Sequence, residues 1–289
     1  LQVPGQAINR HCAGGLTAIG NAAGQIISGA ERAIIAGGTQ STSTGPIQRW
    51  RTPGSTVDEF TEKWMPPTHP DTAEAPNMDM SITVGWNTAK EVDLTREEMD
   101  AWAFRSHQRA VAAVDAGMFD AEIVPVQALQ ADGTRKEFAV DEHPRRDSSL
   151  QKLASLKVLH PEIEGFSITA GNSSPLSDGS SAVMITTSEI AAKLGLTPKA
   201  RLHSFAVAGD DPLYMLTAVI PATQKVLARA GLTVSDIDLF EVNEAFAPVV
   251  LSWAADTGVD LSKVNVHGGA IALGHPLGGS GTRIMTTLV

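Results

Sequence analysis

From Cys12 to Ala30 the chain carries no charged side chain, and glycines recur at positions 14, 15, 20, 24 and 29 among alanines and short apolar residues. Each interior glycine costs a helix about 1 kcal/mol relative to alanine, so this composition favours a helix only where close packing returns the loss. The run predicts a buried helix over Ala13–Ser28, with Leu16, Gly20 and Gly24, four apart, along one tightly packed face. Arg32–Ala36 follows as a short β-branched run closed by Gly37-Gly38, the pattern of a buried strand. A helix joined this tightly to a strand suggests a parallel sheet.

Toward the C-terminus the alternation of short apolar runs and glycines returns. Pro221–Ala230 reads as a helix with proline in its first turn and Gly231 just past its end. Asp236–Val242 is a predicted strand, Asn243–Asp256 a helix, Val264–Val266 a strand and Gly278–Leu288 a further helix. Strand, glycine-rich turn and small-residue helix thus occur around Cys12 and again around His275, which suggests two related halves meeting at one central site.

Between these regions, from about Gly45 to Ser167, prolines, tryptophans and mixed charge replace the small-residue pattern. This stretch reads as an inserted loop domain over the core. Inside it, Thr95-Arg96-Glu97-Glu98 is a capping box opening an amphipathic helix to about Ala116, with Met99, Trp102, Ala103 and Ala110 on its apolar side and Gly117 as terminator. The segment Thr169-Ala170-Gly171-Asn172-Ser173-Ser174 then leads into the apolar run Ala182–Ile185.

Composition narrows the function. A hydrophobic fraction of 43% over 289 residues suits a globular protein with one large or two medium cores. The formal charge of −10 argues against a nucleic-acid partner, whose phosphates the mean field would repel. The Cys12–Ala30 run is too rich in glycine and amides for a membrane span. A single cysteine excludes a disulfide framework within the chain and fits a reducing compartment, so a cytoplasmic location is expected. Starting at Leu1 and stopping at Val289 inside a predicted helix, the chain reads as a fragment, so it says nothing of a targeting segment.

Cys12, at the N-terminus of the first predicted helix, is a candidate nucleophile. The helix dipole and free N–H groups there are expected to lower the thiol pKa. A lone cysteine is more often a small buried hydrophobe. His275, set between glycines, is a candidate base that could take the thiol proton and stay as an imidazolium beside the thiolate. Asn243 falls at a predicted strand-to-helix junction, where an N-cap role is the plain reading.

Three stretches decide between these readings: Asn9-Arg10-His11-Cys12-Ala13-Gly14-Gly15, Ile237-Asp-Leu-Phe-Glu-Val-Asn-Glu-Ala-Phe-Ala247 and Asn265-Val-His-Gly-Gly-Ala-Ile-Ala-Leu-Gly-His-Pro-Leu-Gly-Gly-Ser-Gly281. In order and spacing they resemble the thiolase family, the acetyl-CoA acetyltransferases and 3-ketoacyl-CoA thiolases, over essentially the whole chain. The resemblance implies an α/β fold of two related βα halves in α-β-α-β-α layers with an inserted loop domain. Residues 1–44 with 169–197 would form the N-terminal half, 45–168 the loop domain and 198–289 the C-terminal half.

The activity implied is a two-step acyl transfer between coenzyme A esters through a thioester on Cys12, with His275 as base and Asn243 holding a water at the enolate oxygen. Arg145, Ser174, Phe246 and Met80 are implied to touch coenzyme A, which is a substrate; no cofactor is implied. A homodimer or homotetramer is implied as well. The chain departs from the family in several places. Thr39-Gln40-Ser41-Thr42 stands where Met-Glu-Ser-Met is usual, Asp79-Met80 replaces His-Met, and Val158-Leu159-His160 replaces Pro-Ala-Phe. The second cysteine of a C-terminal Cys-x-Gly motif is absent from these residues, which truncation explains. The alternatives are a thiolase-like acyl-CoA or lipid-binding protein without turnover and a decarboxylating ketoacyl synthase, the latter disfavoured by Asn-Glu-Ala-Phe together with Gly-His-Pro-Leu-Gly.

Overall fold

The computed structural model describes residues 2–46, 49–52, 54–56, 59–61, 68–79 and 81–289. In chain order its elements are α1 (Gly14–Ile27), β1 (Ala33–Gln40), β2 (Trp50–Arg51), β3 (Phe60–Thr61), α2 (Ile82–Glu91), α3 (Arg96–Asp115), β4 (Val126–Leu129), β5 (Arg135–Phe138), α4 (Leu150–Ala154), β6 (Gly179–Thr186), α5 (Ser188–Lys193), α6 (Val219–Ala230), α7 (Ala247–Thr257), α8 (Ala270–Leu273) and α9 (Leu277–Leu288). Local chemistry sets several of these bounds. The Thr95 hydroxyl accepts from the Glu98 N–H at 3.2 Å while the Glu98 carboxylate accepts from the Thr95 N–H at 2.9 Å, so the capping box opens α3 as expected. Gly231, at φ +69°, closes α6 in the left-handed conformation that glycine adopts without a Cβ penalty.

β1 and β6 pair antiparallel over all eight residues, from Ala33 opposite Thr186 to Gln40 opposite Gly179. The parallel sheet expected from the α1–β1 join is therefore corrected: that join sets no direction for a partner that arrives after the long 41–178 segment. Among the described residues the other two ladders, β2–β3 and β4–β5, are also two-stranded and antiparallel. α1 and α9 lie against the β1–β6 ribbon. Ile19, Ala22 and Ala36 fill the space beneath them, with Leu16, Ile34, Val183, Ile185 and Met285 at its margins.

The helix expected over Ala13–Ser28 is present as α1, but only one side of it is buried, and Ile27 near its end is 86% exposed. Its tight contacts also differ from the expected row. Gly15 meets the backbone of Gly281 and Thr282, and Gly20 lies under the Phe205 ring, whereas Gly24 has open space where a side chain would be. The expected strands Asp236–Val242 and Val264–Val266 reduce to one parallel bridge between Phe240 and Val264. Asn265 explains why the ladder stops: it adopts φ +47°, and its amide takes the place of a strand partner, accepting from Val242 N–H at 2.8 Å and donating to Val242 C=O at 2.9 Å. α7 begins at Ala247, not Asn243, because Pro248 fits only a first turn and the backbone of 245–247 is committed to partners at Asn172, Ser173 and Ser174.

The largest core lies between α2, α3 and α7, where Trp86, Met99, Trp102, Phe166, Ile168, Phe246, Val250 and Trp253 are buried together. α3 is also tied to the C-terminal segment by charge. The Arg109 guanidinium donates to Val264 C=O at 2.6 Å and Asn265 C=O at 3.1 Å, and Arg105 donates to Leu261 C=O. Among the described residues no helix is long and apolar enough to cross a membrane.

α9 is seated by glycine on both sides. A Cβ on Gly38 would overlap the Gly278 carbonyl, and one on Gly281 would overlap the Leu16 backbone. Because the obstruction is main chain on both sides, Gly38→Ala is expected to destabilise the fold by about 1–3 kcal/mol. Gly24→Ala, where space is open, should stabilise α1 by up to about 1 kcal/mol. Urea denaturation midpoints of the two variants check both signs.

Candidate active site

Cys12 sits in a 3-10 turn, His11–Ala13, immediately ahead of α1. The turn holds His11 at φ +44°, a left-handed conformation that a non-glycine residue seldom takes, and the Asn9 side chain steadies it by accepting from the His11 N–H at 3.0 Å. Across the Gly15–Gly281 contact, the loop between α8 and α9 delivers His275, only 4% exposed, with its Nε2 3.0 Å from the Cys12 Sγ. Asn243 completes the group: its Nδ2 lies 3.4 Å from the same imidazole nitrogen. Its Oδ1 is buried without a hydrogen-bond partner among the described residues.

The imidazole tautomer follows from its other side. Ser280 lies 2.6 Å from His275 Nδ1 and donates its own hydroxyl proton to Pro276 C=O at 3.0 Å. Having spent that proton, Ser280 can only accept from Nδ1, so Nδ1 carries the hydrogen and Nε2 presents a lone pair to the sulfur. The backbone of His275 is braced as well, donating to Pro175 C=O at 3.0 Å and to the Ser177 hydroxyl at 3.2 Å, which in turn lies 2.9 Å from His143 Nε2.

Burial sets both protonation states. It pushes the Cys12 thiol up, outweighing the lowering by a backbone hydrogen bond, and this corrects the expected thiolate. The correction is physical: the first turn of α1 starts two residues later, and the cost of desolvating sulfur exceeds what the helix end returns. Burial likewise lowers His275 from 6.5 to about 4, so at neutral pH the pair rests as thiol and neutral imidazole.

The chain from residue 1 to 189 matches the sequence model "Thiolase, N-terminal domain", and residues 196–289 match "Thiolase, C-terminal domain". The chain belongs to the thiolase family. It is 40% identical over 293 residues to a steroid 3-ketoacyl-CoA thiolase of Mycobacterium tuberculosis, covering 100% of this chain and 68% of that protein. It is 41% identical over 295 residues to an acetyl-CoA acetyltransferase of Allochromatium vinosum, covering 99% of this chain and 72% of the other. Among solved structures, human mitochondrial 3-ketoacyl-CoA thiolase superposes with a TM-score of 0.85 at 37% identity, over 97% of this chain and 70% of the human chain. The same human thiolase in complex with CoA gives 0.84. The thiolase fold expected from the sequence is thereby established.

The other positions singled out for this thiolase are more dispersed. Ser174 is bound into the loop before α7, donating through both N–H and hydroxyl to Ala245 C=O at 3.0 Å. Phe246 is buried in the main core and stacks over Gly85 of α2. Arg145 is exposed, and its backbone N–H donates to His107 Nδ1 at 3.2 Å. Met80 lies outside the described residues. The two departures Asp79 and His160 prove to be partners: His160 Nε2 is 2.9 Å from Asp79 Oδ2, and its Nδ1 is 2.8 Å from Glu162. Asp79 Oδ1 at the same time accepts from the first N–H groups of α2.

Sequence reasoning left Ser280 and Ser177 without a role. A serine five residues after a histidine, on the first turn of a helix that a Gly-His-Pro introduces, is the signal that could have found the first. Among the described residues no group of three or more His, Cys, Asp or Glu could hold a metal ion.

His107 is also buried and drawn down to about 4, by burial first and then by the nearby Arg145 charge. With folded values below the unfolded 6.5, both histidines are neutral in the fold and protonate more readily when it opens. Their effect is absent above about pH 6.5 and grows as pH falls toward 4, by on the order of 1–2 kcal/mol each at pH 5. Denaturation midpoints at pH 7 and pH 5 should show this acid loss, and His275→Asn should reduce it.

Proposed function

We propose that this thiolase is an acyl-CoA C-acyltransferase, cleaving a 3-ketoacyl-CoA with coenzyme A or running the reverse condensation of acetyl-CoA. The observation that carries the reading is the 3.0 Å contact between Cys12 Sγ and an imidazole nitrogen whose lone pair is fixed toward it by Ser280. Support comes from relatives named 3-ketoacyl-CoA thiolase and acetyl-CoA acetyltransferase and from the CoA complex of the human neighbour.

In the thiolytic direction His275 Nε2 takes the thiol proton as Cys12 Sγ bonds to the 3-keto carbon, and the oxygen becomes an alkoxide. Collapse of that adduct restores the carbonyl and breaks the bond between the 2 and 3 carbons. The 2-carbon leaves as an enolate, takes up a proton and departs as acetyl-CoA, leaving the shortened acyl group on sulfur. A second coenzyme A thiol then attacks the thioester, loses its proton and expels the Cys12 thiolate, which His275 reprotonates. A neutral resting pair suits this cycle, because charge forms only once substrate has excluded water. Asn243 Nδ2, beside the imidazole, is oriented to donate to an oxygen or a water at the enolate.

Arg145 is read as the contact for the nucleotide end of coenzyme A, with Ser174 and Phe246 along the pantetheine arm and Met80 at the border of the tunnel. Residues 45–168 act as the loop domain, inserted between 1–44 and 169–197, with 198–289 as the second half. The assembly is a homodimer or homotetramer.

Cys12 is the single cysteine of the chain, so the thiol expected to act on the substrate α-carbon has no source within these residues. A complete reading frame without such a thiol would favour, as a second reading, a protein that binds acyl-CoA without turnover. Thiolysis of acetoacetyl-CoA and of a longer 3-ketoacyl-CoA separates the two. Turnover is expected, with an acyl adduct detectable by mass spectrometry on Cys12. Cys12→Ser should lose the adduct and lower kcat by about 1,000-fold or more. Tight CoA binding with no thiolysis would support the binding protein, and an adduct persisting in Cys12→Ser would reject the nucleophile.

A further inference from the structure

We propose that Glu244 is a positioning residue of this active site: a carboxyl group, sealed from water and held by four donors, that locks Asn243 and the 269–275 segment in register with Cys12. The proposal rests on the acyltransfer reading. Glu244 is 0% exposed, yet each of its oxygens has two partners. Oε1 accepts from Trp102 Nε1 at 3.0 Å and Asn265 Nδ2 at 2.9 Å, and Oε2 accepts from Ser106 Oγ at 2.7 Å and Ile271 N–H at 3.1 Å.

Three of the four can only donate to it. The indole and backbone N–H groups only donate. Asn265 has its carbonyl oxygen engaged by Val242 N–H, which turns its NH₂ toward Glu244. Ser106 accepts from Gly269 N–H at 3.0 Å, leaving its own proton for the carboxylate. A proton on Oε1 would face only donors, Trp102 Nε1 and Asn265 Nδ2. Burial pushes the carboxyl up, outweighing the pull of the four donors, and the Arg105 and Arg109 guanidiniums interact with it electrostatically.

The partners lie on different segments, which is what makes the residue an organiser. Trp102 and Ser106 belong to α3, Asn265 to the turn after the Phe240–Val264 bridge, and Ile271 to α8, four residues before His275. Gly269 leaves no space for a Cβ beside the carboxyl group, so α8 starts flush against it. Asn243, directly before Glu244, faces His275. One buried carboxyl group therefore spans α3, the loop carrying Asn243 and the loop carrying His275.

The test uses the full chain carrying Glu244→Gln, Trp102→Phe, Asn243→Ala, or Asn243→Ala with Glu244→Gln. Readouts are thiolysis of acetoacetyl-CoA, thermal melting and alkylation of Cys12, the single thiol, by iodoacetamide from about pH 6 to about pH 9. Glutamine keeps the shape but points an NH₂ at one pair of donors. Glu244→Gln should lower kcat about 10-fold or more with KM within about 2-fold, and Trp102→Phe should fall between it and wild type. In the Asn243→Ala background, Glu244→Gln should add less than about 2-fold, because its effect passes through the missing amide.

Unchanged kcat and unchanged alkylation in Glu244→Gln would overturn the proposal. So would effects that multiply in the double variant, which would mark a merely structural carboxylate. If Glu244→Gln fails to fold, Trp102→Phe decides by the same kcat-against-KM split. A wild type that does not thiolyse would sink the acyltransfer reading alone, and the alkylation rates would still decide whether Glu244 sets the geometry at Cys12.

Discussion

The active site depends on one steric condition: α9 must approach α1 and β1 to main-chain distance at the same time. Gly15 and Gly281 meet on one side and Gly38 and Gly278 on the other, and at each a methyl group would collide with backbone. Backbone cannot rotate out of the way as a long side chain can, so the spacing is held by exclusion and not by affinity. That spacing brings together a sulfur and an imidazole 263 positions apart in the chain. The glycine-rich composition, unfavourable to an isolated helix, is the requirement of this contact.

Around the contact, desolvation acts on every titratable group, and the hydrogen-bond partners decide the outcome. Cys12 and His275 have few partners and rest neutral. Glu244 is buried more deeply still and is surrounded by donors. A reactive pair that can exchange a proton thus sits on a frame tied by four donated hydrogen bonds. Ser280 contributes a second fixed element, since its bond to Pro276 C=O removes the freedom of the imidazole to present the wrong nitrogen.

Much of this was legible in the chain. Features governed by near neighbours read correctly: the capping box at Thr95, the stop at Gly231 and the extents of α1 and α9. Features governed by distant parts did not. The direction of β1 against β6 depends on where the chain returns after residue 178, and the missing strands near Phe240 and Val264 depend on an Asn265 side chain that mimics a ladder. The start of α7 shifted because segment 172–174 captured its expected first turn. The thiol state was misread because helix-end electrostatics is visible locally, whereas burial is a property of the folded whole.

The pairing of Asp79 with His160 bears on how this chain could have diverged from its kin. Each residue differs from the family pattern, and taken singly each change would leave one atom without its partner here: Asp79 Oδ2, or His160 Nε2. Joined, they neutralise one another and also fasten the opening turn of α2. Historical substitution at these two sites is therefore expected to be concerted, and grafting either residue alone into a relative would import half of a lock.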